Sequence, residues 1–96
     1  MIILLISVHL FPLVLLVALN GRFHNPAMGH LELRLMNGKL EARMGAAWSA
    51  VEVYDNTRNQ LRLELFGSGE VATVTMKDGR AESIQMSGQS YTRVPS

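Results

Sequence analysis

The chain has 96 residues, nine of them basic and eight acidic, and no cysteine. That length holds one domain. The near-balance of charge argues against a nucleic-acid surface, which needs clustered Lys and Arg to displace counterions from phosphate, and against a polybasic membrane patch. Without cysteine there is no disulfide framework, no thiolate zinc site and no lipidated cysteine anchor.

The first stretch, Ile2 to Leu19, is apolar except for Ser7, His9 and Pro12. As a helix it would be about 27 Å long at ~1.5 Å per residue, close to the roughly 30 Å hydrocarbon core of a bilayer. Residues 1–20 are therefore expected to form one hydrophobic N-terminal helix, a membrane anchor or a signal-like segment. No basic residue precedes the apolar run, and Val17-Ala18-Leu19-Asn20 is a poor small-x-small cleavage site. Three readings stay open: an anchor or uncleaved signal, a cleaved signal, or the truncated start of a longer protein. The first two place the protein at a membrane or export it to a periplasmic or other extracytoplasmic compartment. His9 has no partner residue in this segment and reads as incidental.

From residue 21 to residue 96 the period changes to two. His30-Leu31-Glu32-Leu33-Arg34-Leu35 alternates without fault, placing three leucines on one face of a strand. Asn37-Gly38 follows, a pair suited to the two positive φ angles of a type I′ hairpin turn. Lys39 to Met44 returns in register. Trp48 to Tyr54 reads as the next strand, with Val51 and Val53 on one face and Trp48, Ala50 and Tyr54 on the other. A polar turn at residues 55–59 leads to Leu61-Arg62-Leu63-Glu64-Leu65. Gly67-Ser68-Gly69 then turns the chain into Val71 to Lys77. Asp78-Gly79 is a second hairpin signal before Arg80 to Met86, and Gly88 separates that strand from Tyr91 to Val94. A short first strand around Arg22-Phe23-His24 brings the total to about eight.

The connections are too short for helices, so the strands form an antiparallel meander. Closing into an up-and-down barrel removes its open edges. The predicted fold is thus all-β, a small lipocalin-like barrel of about eight strands. A barrel this small is filled by its own side chains, here mainly Leu31, Leu33, Leu35, Leu40, Leu61, Leu63, Leu65, Val74 and Ile84.

Chemistry-bearing patterns are sparse. There is no Gly-x-Ser-x-Gly elbow and no Ser-x-x-Lys. His24 and His30 flank the loop Asn25-Pro26-Ala27-Met28-Gly29 and would meet if it folds back. Two histidines alone fall short of the three or more protein ligands that zinc sites take; Glu32, on the same strand face as His30, keeps a metal reading open as the minor alternative. They read as solvated strand-end residues, and no metal or cofactor is expected. Glu32 with Arg34, Glu41 with Arg43 and Arg62 with Glu64 read as a solvated face with cross-strand charge pairs rather than catalytic carboxylates. Gly67-Ser68-Gly69 precedes no helix and is no phosphate cradle. A lone Trp in a small β domain reads first as core. The alternative is a recognition surface of Trp48 and Tyr54, joined by His24 and His30 as the candidate interaction residues.

The run Leu19-Asn20-Gly21-Arg22-Phe23-His24-Asn25-Pro26, followed by Gly29, Leu31-Glu32-Leu33 and Asn37-Gly38-Lys39-Leu40, resembles the opening of a known accessory domain. That domain is the lipocalin-like C-terminal domain of many serine β-lactamase-related hydrolases, a group that includes D-alanyl-D-alanine carboxypeptidases. Asp78-Gly79-Arg80 and Tyr91-Thr92-Arg93-Val94 are similar to its closing turn and last strand, so the likeness covers Leu19 to Val94. The resemblance implies an accessory role beside a hydrolase domain whose serine lies in a Ser-x-x-Lys motif that this sequence lacks. Tyr54-Asp55-Asn56 spells the family's Tyr-x-Asn form, but stands without the serine and lysine, and no catalytic residue carries over. An apolar segment also stands where the linker from the hydrolase would be. The expectation is a non-catalytic interaction module, not an enzyme, whose partner is a hydrolase domain, a second copy or an envelope protein. The alternatives are a carrier of a small apolar ligand and a membrane-tethered structural domain.

Overall fold

The computed structural model describes residues 17–95. The hydrophobic helix expected over residues 1–20 therefore lies outside the described residues except for its last four. Among the described residues no helix is long and apolar enough to cross a membrane. Residues 17–19 are helical. Eight strands follow: β1 (Gly21–Asn25), β2 (Gly29–Met36), β3 (Lys39–Met44), β4 (Ala47–Asp55), β5 (Gln60–Leu63), β6 (Glu70–Lys77), β7 (Arg80–Met86) and β8 (Gln89–Arg93). Each pairs antiparallel with the next, and β8 pairs with β1 to close the barrel. The all-β up-and-down barrel expected from the period-two pattern is the fold observed.

The turns explain why the strands stop where they do. Asn37-Gly38, Asp78-Gly79 and Ser87-Gly88 each carry two successive positive φ angles, the requirement of a type I′ turn. The third pair is less apparent in the sequence because Ser87, at φ 52°, holds a conformation that Asn adopts more readily. Ser87→Asn is accordingly expected to stabilise the fold by about 0.5 kcal/mol, read as a higher urea midpoint at unchanged slope.

The inward positions fill the lumen. Leu31, Leu33, Leu40, Leu61, Leu63, Leu65, Val74 and Ile84 are buried as expected, whereas Leu35, near the end of β2, is only partly covered. Leu65 is buried although it lies beyond the end of β5. The bulkiest fully buried side chains, Tyr91 and Phe23, come from the two short terminal strands, each of which has only one large apolar residue to reveal its pattern. Ala42, Ala72 and Ala81 are the small residues among them. Leu19 is also fully buried, so the end of the apolar segment packs into the barrel core.

The closing seam is the shortest in the sheet. β1 and β8 share two register pairs, Phe23↔Arg93 and His24↔Thr92, against five between β1 and β2. Side chains reinforce it at both ends. Asn25, buried in the β1–β2 hairpin, donates to Gln89 Oε1 at 3.1 Å and to the Ser90 carbonyl at 2.8 Å. The Arg93 guanidinium donates to the carbonyls of Ala81, Asn20 and Ala18 and lies 4.9 Å over the Phe23 ring. Gly21, at φ 154°, leaves the space that this guanidinium occupies; a Cβ there would collide with Arg93 Nη1.

Candidate functional site

The outward face carries the polar residues, and the pairing places them in rows. Arg22, Glu32, Arg43 and Trp48 are successive partners across β1, β2, β3 and β4. Arg34, Glu41 and Ala50 form the adjacent row. The three pairs expected across strands are close along the chain instead, Arg43–Glu41 at 3.0 Å, Arg62–Glu64 at 3.1 Å and Arg34–Glu32 at 4.0 Å, whereas Lys77–Glu82 at 3.7 Å does cross, from β6 to β7. Residues two apart on a strand share its face, so long side chains reach each other without leaving water. Such exposed pairs contribute about 0–1 kcal/mol each.

Trp48 belongs to this face and not to the core; it is 62% exposed. The reading of a lone Trp as core fails because Ser49 and Val51 supply the inward positions of β4, leaving Trp48 to project outward. It lines a shallow cleft of about 280 Å3 with Ala50, Leu63 and the Arg62–Glu64 pair. Val71, also exposed, is the β6 partner of Arg62 and extends the apolar surface.

Tyr54 is 60% exposed but stands apart. It is the extra residue of a β-bulge, since Val53 pairs with Leu61 and Asp55 with Gln60. It lies six positions along the strand from Trp48, about 20 Å of extended chain, so these two aromatics do not form one surface. In Tyr54-Asp55-Asn56, the Asp55 carboxylate accepts the Thr57 and Arg58 amides at 3.0 and 3.2 Å, which organises the β4–β5 turn.

His24 and His30 do come together. They are register partners across β1 and β2, both exposed, with ring centroids 4.9 Å apart and planes tilted by 52°. The Asn25 side chain sets that meeting by accepting the Ala27 and Met28 amides at 2.8 Å each, which folds the loop back. An open cleft of about 520 Å3 along the β1–β8 seam is lined by both histidines, Pro26, Thr92 and Pro95. Among the described residues no cluster of three or more metal-binding side chains occurs.

Glu70 was not separable in the sequence from the surface carboxylates. It is buried, and its two oxygens accept the Phe66 amide at 2.8 Å, the Ser68 amide at 3.0 Å and the Ser68 hydroxyl at 2.8 Å. Burial alone would raise its pKa, but the hydrogen bonds from Phe66 and Ser68 together outweigh it and hold the carboxyl below its usual range. A lowered folded-state pKa means stability that is present above the unfolded value of about 4.3 and is lost as pH falls through the folded value. Glu70→Gln keeps one acceptor oxygen and is expected to cost about 1–2 kcal/mol at pH 7. Urea titrations at pH 7 and pH 3 should show the variant losing less stability on acidification than the native chain.

The hydroxyl beside the Trp48 cleft is already engaged in structure. Ser49 Oγ donates to the Ala50 carbonyl and accepts the Glu64 amide, tying β4 to the chain that leaves β5. The site residues therefore offer an exposed indole beside a charge pair, and a paired imidazole surface. No family model matches this chain, and neither a curated protein nor a solved structure does.

Proposed function

We propose that this protein is a non-catalytic interaction module, a rigid small barrel whose outer face docks a protein partner. The observation that carries this reading is the exposed Trp48, set in a cleft with Arg62 and Glu64 and continued by Val71. A large, stiff aromatic beside charged groups suits a protein interface, where Trp and Arg dominate binding energy. The filled lumen supports the same choice over a carrier: Phe23, Tyr91 and the inward leucines occupy the space an apolar ligand would need. The resemblance to the accessory domain of β-lactamase-related hydrolases makes a hydrolase domain the first partner to try, with a second copy or an envelope protein next. The apolar run from Ile2 to Leu19 favours a membrane-associated or exported location.

Native mass spectrometry of the full chain, released from detergent, tests this reading. A bare monomer, or a discrete oligomer that Trp48→Ala dissolves, is expected. A retained species of lipid-like mass that cross-links to lumen residues such as Leu33 or Leu61, and not to residues 2–19, would instead establish the carrier. Turnover of D-alanyl-D-alanine peptides or esters by the purified chain would overturn the non-catalytic assignment.

A further inference from the structure

We infer that His24 and His30 form a two-point surface chelate for a borderline divalent cation, Cu2+ foremost and Ni2+ or Zn2+ more weakly. The argument starts from distance. Metal–imidazole bonds of ~2.0–2.1 Å and a ring radius of about 1.1 Å place each ring centroid about 3.2 Å from a shared ion. At that reach, centroids 4.9 Å apart subtend roughly 100° at the metal, between the square or octahedral cis angle and the tetrahedral angle. The strand pairing thus holds the two rings at a chelating separation before any ion arrives.

The setting is consistent with that use. Both imidazoles are exposed, so aligning a nitrogen lone pair of each takes only side-chain rotation. They face the open cleft along the β1–β8 seam, with room for the water molecules that would complete the coordination shell. On the outward face Arg22, two residues before His24, and Glu32, two residues after His30, are register partners and offset each other, and Arg93 also lines the cleft, its guanidinium held by three backbone carbonyls. Thr92, the β8 partner of His24, adds a hydroxyl beside the pair. Two imidazoles without thiolate or a third protein ligand select for Cu2+ by the Irving–Williams order and leave coordination positions open. The site is therefore an exchangeable one, distinct from the closed four-ligand sites that hold structural zinc.

The test is Cu2+ titration of the untagged full chain, with His9 kept in every variant. One equivalent is expected to bind with an electron paramagnetic resonance spectrum showing two equatorial nitrogens. His24→Gln and His30→Gln should each weaken binding at least about tenfold, since each removes an intramolecular second ligand. Circular dichroism checks that these surface variants fold. Independently of any variant, substoichiometric Cu2+ should broaden the amide signals of residues 24 and 30 first in the native chain. Broadening centred elsewhere, a single-imidazole spectrum, or unchanged affinity in the variants would overturn the assignment.

Discussion

Arg93→Ala is expected to lower the folding stability by about 3 kcal/mol, a large share of what a domain of this size has. The guanidinium donates to three backbone carbonyls that belong to different parts of the fold: Ala81 in β7, Asn20 at 3.0 Å and Ala18 at 3.1 Å. It also covers the Phe23 ring at 4.9 Å. Hydrogen bonds from a charged donor contribute about 1.5–3 kcal/mol each when desolvated, and the half-exposed setting reduces that here. Burial chiefly, and the charge of Arg80 secondarily, lower the pKa of this guanidinium, but an arginine remains charged. Arg93→Lys should recover less than half of the loss, because a single ammonium on a flexible stem cannot span three carbonyls. The same variant separates local from global effects. Hydrogen exchange should rise first at residues 20–25, since the β1–β8 seam has only two register pairs of its own.

That seam marks the boundary of what the sequence could reveal. Strands β2 and β3 were legible because each alternates over six or more residues and the Asn37-Gly38 turn joins them, whereas in β7 a register shift turns both Ala81 and Ile84 inward and breaks the alternation. The closure between β1 and β8 was inferred only from the need to hide edges. Its actual fastening, by Asn25 and Arg93, joins residues 64 to 75 positions apart and leaves no local trace. Leu19 was equally hidden: within an apolar run nothing distinguishes the residue that enters the barrel from those before it. Among the site residues, the meeting of His24 and His30 was legible because a short loop with Asn25 and Gly29 forces the chain back on itself. The placement of Trp48 was not, since alternation defines two faces without saying which is inside when Trp, Ala and Tyr share one and Val the other. Separation from Tyr54 depended further on a bulge, which alternation cannot register. Glu70 looked like its neighbours because burial of a carboxylate is set by the amides of the turn before it, at residues 66 and 68.

The second large effect is expected at Asn25, where two substitutions separate its roles. The carboxamide oxygen accepts the Ala27 and Met28 amides, and the nitrogen donates to Gln89 Oε1 and the Ser90 carbonyl. Asn25→Ala removes all four bonds from a residue 5% exposed and is expected to cost about 3 kcal/mol, as net losses near 1 kcal/mol per bond tempered by water reaching the loop amides. Asn25→Asp keeps both acceptor interactions but has no donor when ionised, and it sets a negative charge against the Ser90 carbonyl. Its cost should be about 2 kcal/mol, with the β1–β2 loop intact and the seam weakened. Urea denaturation gives the totals, and hydrogen exchange divides them. In the alanine variant the amides of Ala27 and Met28 should lose protection, whereas in the aspartate variant they should keep it while β8 loosens. Because this side chain also fixes the loop that brings His24 to His30, Cu2+ affinity should fall in Asn25→Ala and be largely retained in Asn25→Asp. Equal affinities in the two variants would mean that the strand pairing alone positions the imidazoles and that the Asn25 cap does not.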